Sequence, residues 1–196
     1  MSYRADLLNT QNELLLNHLL EFFNADPSRL TKMMNIINGE SRISLRIVDW
    51  FVTNFAKKYY VWYMMADPDQ RFKVYTDYKL KLKAYSKRRF DPFCRWERTM
   101  IPYDDENFVE TTIGQLNFFK WAIEHQILDY IQSHFDEIEQ DMNERNTTSR
   151  SRHTPPPSSE SSVGDDVKTR KKREELSESA CKCIKKETIK IVVKFT

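Results

Sequence analysis

The 196-residue sequence predicts a mainly α-helical fold, with α+β as the alternative, from three observations. Apolar residues recur at spacings of three, four and seven through most of the first 143 residues, the pattern of amphipathic helices. One short aromatic run has no polar interruption and predicts a minor strand element. The composition changes sharply after Asn143. We therefore predict a globular domain over 1–143, a disordered Ser-, Pro- and Lys-rich linker over 144–187, and a docking strand over 188–196.

Two helices are predicted before residue 40. The first covers about residues 6–23, where leucine and phenylalanine recur on one helical face. Asp26-Pro27-Ser28 breaks that pattern, and Pro27 is suited to opening a second helix because the first helical positions need no amide proton. Asn38-Gly39 is a typical stop signal for the second helix.

A third helix is predicted to begin at a Ser41 cap and to end at Lys57-Lys58, where two positive charges complement the helix dipole. Residues 59–65 (YYVWYMM) follow and are the best strand candidate, with a buried helix end as the alternative. The predicted core includes four residues before position 65 and three beyond it: Trp50, Phe51, Phe55, Trp62, Phe119, Trp121 and Ile123.

Residues 71–98 form a basic-aromatic segment with ten Lys or Arg, three Asp or Glu and seven aromatic rings. Its aromatic and apolar residues recur at three and four, which favours a helix with the rings on one face and lysines around them. A strict alternation from Tyr78 to Ala84 is the competing strand pattern. Pro92 ends the predicted helix.

An acidic loop is predicted over 101–106, followed by the longest helix of the chain, over about 113–142 with Thr111 or Thr112 as its cap. An apolar stripe of that length is unusual in a small domain, so part of it is expected to pack on a partner. The terminal strand is also expected to need something to pair with, in cis or in trans.

No catalytic, cofactor or metal site is predicted. Three glycines are too few for a phosphate-binding loop, and the histidines lack a ligand spacing such as HExxH. Cys94 is interpreted as a small buried hydrophobe, and Cys181 and Cys183 as exposed thiols, since an odd cysteine count does not indicate a disulfide framework. No apolar run is long enough for a membrane span.

The basic-aromatic segment is the strongest functional candidate, because cations neutralise phosphates while rings can stack on bases. A solvated lysine face over an aromatic core is the alternative. The net charge of the chain is only +2, so any electrostatic attraction must be local. The residues predicted to bind nucleic acid or an acidic protein partner are Lys79, Lys81, Lys83, Lys87, Arg88, Arg89 and Arg95.

A second basic cluster, KTRKKR at 168–173, lies in the predicted linker. Such clusters are typical of nuclear-import signals or phosphate contacts, and are also common by chance in disordered tails. Its charged residues are Lys168, Arg170, Lys171, Lys172 and Arg173.

Three runs resemble a conserved protein family of nucleocytoplasmic large DNA viruses, which include giant amoebal and algal viruses. They are SRISLRIVDWFVTNFAKK at 41–58, RFDPFCR at 89–95 and TTIGQLNFFKWAIE at 111–124, within a resemblance over about 36–131. The resemblance implies a viral origin, no known enzymatic activity, and a role in virion structure or late gene expression. The expected location is the viral factory of the host cytoplasm or the virion, with the host nucleus as a further option.

Two functions remain open from the sequence. The first is a non-enzymatic viral protein that binds nucleic acid or an acidic protein surface through the basic segment. The second is a virion structural component, a minor capsid or internal scaffold protein, whose long helix and terminal strand contact capsid neighbours or other copies of the chain.

Overall fold

The computed structural model describes residues 3–65, 71–103, 107–151 and 186–188. Helices dominate this part of the chain, and the strands form two small sheets. The predicted mainly α-helical class is confirmed. In chain order the helices and strands are α1 Tyr3–Asn24, α2 Pro27–Asn38, α3 Leu45–Trp50, a π-helical turn Phe51–Phe55, α4 Ala56–Lys58, β1 Trp62–Met64, β2 Arg71–Lys73, α5 Val74–Arg89, β3 Arg98–Pro102, β4 Asn107–Thr112, α6 Ile113–Glu124, α7 Ile127–Ser133, α8 Phe135–Ser151 and β5 Lys186–Thr188.

The first two helices follow the sequence signals closely. Asp26 caps α2 with a carboxylate oxygen that accepts the amide proton of Ser28 at 3.0 Å, and Pro27 is its first residue. Gly39 ends α2 in the left-handed region at φ +76°, a conformation that costs glycine little. The predicted break and stop are therefore confirmed.

The third helix begins later than predicted. Ser44, not Ser41, is the cap, and its hydroxyl oxygen accepts from the amide of Ile47 at 3.3 Å. The Ser41 hydroxyl instead accepts from the amide of Ile43 at 3.1 Å, a local turn that competes with helix capping. The helix then passes through a π-helical turn before it ends at Lys58.

The predicted strand element is confirmed over Trp62–Met64, which pairs antiparallel with Arg71–Lys73. Side chains alternate across this strand, so Tyr63 packs on the core while Trp62 faces outward. Trp62 is 53% exposed, and its predicted place in the core is wrong for this reason.

The basic segment forms the predicted helix over α5, and the competing strand pattern fails from Val74 onward. Its first three residues form β2, and its last residue, Arg98, begins β3. Tyr78 is buried on the inner face of α5, with Leu82 and Tyr85 partly buried beside it, as the spacing predicts.

The acidic loop prediction is wrong in its first part, because Ile101 and Pro102 belong to β3 and pair with β4. Residues 104–106 lie outside the described residues. Thr112 caps α6 as predicted, and its hydroxyl accepts from the amide of Gln115 at 3.1 Å.

The single long helix predicted over 113–142 is wrong, since three helices occupy this region. The first break is at His125 and Gln126, where Gln126 has φ +56°, and the second is at His134. A ring nitrogen of each histidine contacts the carbonyl oxygen four residues earlier, at 2.9 Å for His125 and 3.1 Å for His134. These contacts satisfy carbonyl groups at helix ends, which apolar periodicity alone does not report.

The tail contributes one strand to the main sheet. β5 pairs antiparallel with β4, with Thr188 opposite Asn107, so the pairing is in cis and the strand order is β3-β4-β5. Only Thr188 falls inside the predicted terminal strand, and 189–196 lie outside the described residues. Helix α8 continues to Ser151, past the predicted boundary at 143. Residues 152–185, with both tail cysteines and the 168–173 cluster, also lie outside the described residues.

One continuous core joins the helices, and α6 crosses its centre. Of the predicted core residues, Phe51, Phe55, Phe119 and Trp121 are buried. Trp50 and Ile123 pack against the core while remaining partly exposed.

Asp141 links α8 to the continuous stretch of α3, the π-helical turn and α4, which we call the third helical segment. Its side chain is 7% exposed and accepts from the indole nitrogen of Trp50 at 2.9 Å, and it also contacts Lys58. Burial alone would raise the pKa of this carboxyl, but the hydrogen bonds from Lys58 and Trp50 outweigh it and hold the pKa below its usual range.

Replacing Asp141→Asn should lower the free energy of unfolding at pH 7 by about 2 kcal/mol, since charge-assisted hydrogen bonds are lost. A depressed pKa means that this stabilisation is present above about pH 3.9 and is lost as the pH falls through the folded-state pKa. Urea denaturation from pH 7 to pH 3 should show the two stability curves converging under acid. Asp136→Asn, on an exposed position of the same helix, is the control, and a gap that stays constant with pH would contradict the assignment.

Candidate functional site

The charged residues of helix α5 are almost all basic. Between Val74 and Arg89 it has six Lys or Arg and one acidic residue, Asp77. The Asp77 carboxylate accepts from the indole nitrogen of Trp121 at 2.6 Å. Because the only acid of the helix is engaged by the core, the charge that α5 presents to solvent is positive.

Six of the seven aromatic rings of the segment lie in the core or pack against it. Phe72, Tyr78, Phe90 and Phe93 are buried, and Phe90 meets Trp121 edge-on with ring centroids 5.3 Å apart. Burial raises the pKa of Tyr78 to about 12, in keeping with its place inside the protein. These rings are thus unavailable for stacking on nucleic-acid bases.

Three of the seven predicted binding residues form an accessible set. Lys79, Lys83 and Lys87 are exposed, and none forms an ion pair with any residue in the described part of the chain; we refer to them as the basic face. Lys79 and Lys83 lie one helical turn apart and therefore on the same side of α5. Lys81 is half-buried on a different side of the helix.

The three arginines make structural contacts instead. Arg88 pairs with Glu97, and Arg89 donates from Nε to the side-chain oxygen of Asn12 on α1 at 2.8 Å. Arg95 donates two hydrogen bonds of 2.8 Å to Asp91, whose carboxylate is only 2% exposed. The hydrogen bond to Asp91 raises the pKa of Arg95.

The structure thus divides the predicted binding residues into an exposed lysine group and an arginine group that fixes the end of α5. The sequence carries a signal for this division that composition alone misses. That signal is the position of the three acidic residues between 71 and 98. Asp91 lies four residues before Arg95, to which it bonds, and Glu97 lies nine residues after its partner Arg88. The third, Asp77, bonds to Trp121 of the core.

The end of α5 bends at Ser86. Its backbone has φ +60° and ψ 169°, a region occupied almost only by glycine, so Lys87 departs from the helical line of Lys79 and Lys83. The bent end is held against α6. Asn117 donates to the carbonyl of Arg89 at 2.8 Å, and a Cβ at Gly114 would lie 3.0 Å from the carbonyl oxygen of Arg88.

No group of three or more His, Cys, Asp or Glu that could hold a metal ion occurs among the described residues. Cys94 is 4% exposed, in agreement with its interpretation as a buried residue. None of the helices in the described ranges combines the length and apolarity needed to cross a membrane.

Comparison with known proteins gives two matches. A family model with the description "Family of unknown function (DUF7197)" matches residues 3–154. Uncharacterized protein L507 of Acanthamoeba polyphaga mimivirus is 44% identical over 131 residues, which cover 63% of this chain and 51% of that protein. The chain thus spans about half the length of this viral relative. No solved structure matches. The predicted resemblance to a large-DNA-virus family is confirmed.

Replacing Ser86→Gly should raise the free energy of unfolding by about 1 kcal/mol, because glycine adopts the Ser86 backbone conformation without the strain that a side chain adds. Thr76→Gly is the matched control in the regular, exposed part of α5, and it should lower the free energy of unfolding by about 0.3 kcal/mol, because threonine is itself a weak helix former. Thermal and urea denaturation measure both. Equal losses in the two variants would show that Ser86 is not strained.

Proposed function

This chain belongs to the family described as DUF7197, and on that premise we propose that it is a non-enzymatic viral interaction protein that binds nucleic acid through the basic face on α5. The observation that supports the proposal is the exposure of Lys79, Lys83 and Lys87 on a helix whose one acid is engaged by the core. An acidic protein surface is the competing partner for the same lysines.

Phosphate groups suit this face better than base edges do. Lysine is a compact charge on a flexible stem, which neutralises phosphate without fixed geometry. The arginines that could form bidentate contacts with bases are bonded to Asp91, Glu97 and Asn12. The proposed contact is therefore to the sugar-phosphate backbone, which carries no sequence information directly.

Duplex is the preferred form of nucleic acid in this proposal. Proteins that bind single strands without sequence preference combine cations with rings that stack on the bases. Of the seven rings between 71 and 98, Trp96 is the one large side chain with substantial exposure, at 44%. One ring separated in sequence from the lysines gives little support for a stacking platform.

The proposed activity fits the viral factory or the virion, where viral nucleic acid is concentrated. The host nucleus enters only if the cluster at 168–173 acts as an import signal. Expression in the late phase of infection remains part of the same proposal.

Replacing Lys79→Gln and Lys83→Gln together in the full chain should weaken binding to a labelled random-sequence duplex. Each phosphate contact contributes about 0.9 to the slope of log K against log salt, so the slope should shrink by nearly 2. Fluorescence anisotropy across a salt series measures this change. The basic cluster of the tail contributes equally to both proteins, so their difference reports α5 alone.

The control removes the same charge elsewhere, with Lys32→Gln and Arg46→Gln on exposed positions of α2 and α3. This variant should keep the wild-type slope. An affinity independent of salt, or equal losses in the two double variants, would refute nucleic-acid binding by the basic face. Binding to polyglutamate but not to duplex would assign the lysines to an acidic protein.

A virion structural role is the second candidate, and a specific feature favours it. β3 lies at an edge of the β3-β4-β5 sheet, and Met100 on that strand is 46% exposed. An edge strand offers backbone groups that can pair with a neighbouring chain. The tail strand β5 pairs in cis, so it leaves β3 as the edge formed by the main domain.

If β3 pairs between copies, the full chain should form oligomers in light scattering over a concentration series. Met100→Lys should reduce their size, because a charged residue on an edge strand opposes pairing. Leu14→Lys, which adds the same charge at an exposed apolar residue of α1, should leave the oligomers unchanged. A monomer at every concentration would count against this role.

A further inference from the structure

A cleft of about 530 Å³ lies between the end of α4, strand β1 and helix α8, on a part of the molecule that the basic face does not include. Both aromatic and acidic side chains line it; we refer to it as the acidic cleft. The residues that matter for its chemistry are Tyr59, Tyr60, Trp62, Tyr130, Glu137 and Glu144.

The aromatic side of the cleft is unusually exposed. Tyr60 is 84% exposed, Trp62 53% and Tyr59 52%, although large aromatic side chains are normally well buried. Two of these rings already attract cations of the chain, with Lys58 4.7 Å from the Tyr59 centroid and Arg71 5.2 Å from that of Trp62. Rings in this setting favour cationic ligands, because their faces carry negative charge density.

The opposite side of the cleft is acidic. From Phe135 to Arg145, α8 has five acidic residues and one basic residue. Asp141 accepts from Trp50 and contacts Lys58, and Glu144 accepts from the side-chain amide of Gln140 at 2.9 Å. Glu137 and Glu144 are both exposed to solvent at the cleft. Burial, and the nearby charge of Glu137, raise the pKa of Tyr130. The carboxylates and the aromatic rings therefore line the same cleft, and both attract cations there.

We propose that the acidic cleft is an intramolecular docking site for the basic tail segment, residues 168–173 (KTRKKR), which lies outside the described residues. The lysines and arginines of the segment would pair with Glu137 and Glu144 and stack on Tyr60 and Trp62. This contact is distinct from the duplex contact of the basic face, and each can fail without the other.

Charge and covalent connection both support this occupant. The segment has five cations in six residues, which complements the acidic helix. The same helix leads directly into the tail at Ser151. The α-helical rise places Ser151 about 21 Å from Glu137, whereas the seventeen residues from Ser151 to Lys168 can span at most roughly 56–61 Å. The segment is thus able to reach the cleft.

A second copy of the chain is the main competing occupant, since α5 is also basic. Lys57 lies over the ring of Tyr75 on α5, while its neighbour Lys58 contacts Asp141 on α8. Helices α5 and α8 thus contact adjacent residues of this segment, and the basic α5 of another molecule is a second source of cations for the cleft. Docking within one chain does not depend on concentration, and docking between copies does.

Trypsin cleavage of the full-length protein tests the proposal, because it cuts after Lys and Arg at rates that follow the population of undocked segment. Mass spectrometry resolves cleavage within 168–173. Glu137→Gln with Glu144→Gln should speed this cleavage about fivefold, and so should salt, which screens exposed charge pairs. Tyr60→Asn, which tolerates the left-handed backbone at φ +52°, should give a smaller increase.

Glu13→Gln with Glu21→Gln on α1 makes the same charge change away from the cleft and should cleave at the wild-type rate. Circular dichroism checks that each variant is folded, and a small chromogenic substrate corrects for the effect of salt on trypsin. Equal cleavage in all variants would overturn the proposal. Protection that increases with protein concentration would also overturn it and would assign the cleft to a second copy.

Discussion

The burial of α6 is the constraint on which most of this structure depends. Its residues from Gly114 to Phe119 are all buried, and it packs on both α1 and α5. A helix buried this completely must have its polar groups satisfied by the protein. Gln115 donates to the carbonyl of Pro92 at 2.9 Å and Asn117 to that of Arg89 at 2.8 Å, so the core helix itself fixes the chain that follows α5.

This arrangement explains why the basic segment separates into two groups. The arginines near its end lie where α6, α1 and the following loop converge, and they bond to Asp91, Glu97 and Asn12. A bidentate pair with a carboxylate as buried as Asp91 is a structural element, since removing one partner leaves an uncompensated charge. Lys79 and Lys83, in the middle of α5, form no ion pair with the described residues and are exposed to solvent.

The nearly neutral chain thus carries charge that is segregated rather than absent. α5 presents lysines to solvent, and α8 presents carboxylates beside exposed aromatic rings. A net charge of +2 hides this separation, because the sum does not report where charges lie. Nucleic-acid binding depends on lysines that lie together on one basic helix. Docking of the tail depends on an acidic cleft and a basic segment in the same chain.

The sequence alone determined the elements whose signals are local. Pro27 and Gly39 bound α2, Thr112 caps α6, and the three- and four-residue spacing identified α5. Tertiary structure decided what local signals cannot carry. The apolar stripe after Thr112 continues through His125 and His134, although the helix breaks there, because periodicity does not record a change of direction. The tertiary structure also determined which cations of the basic run are accessible. Arg95 and Lys83 look alike in the sequence, and only the packing of Arg95 against Asp91 makes Arg95 structural while Lys83 stays accessible.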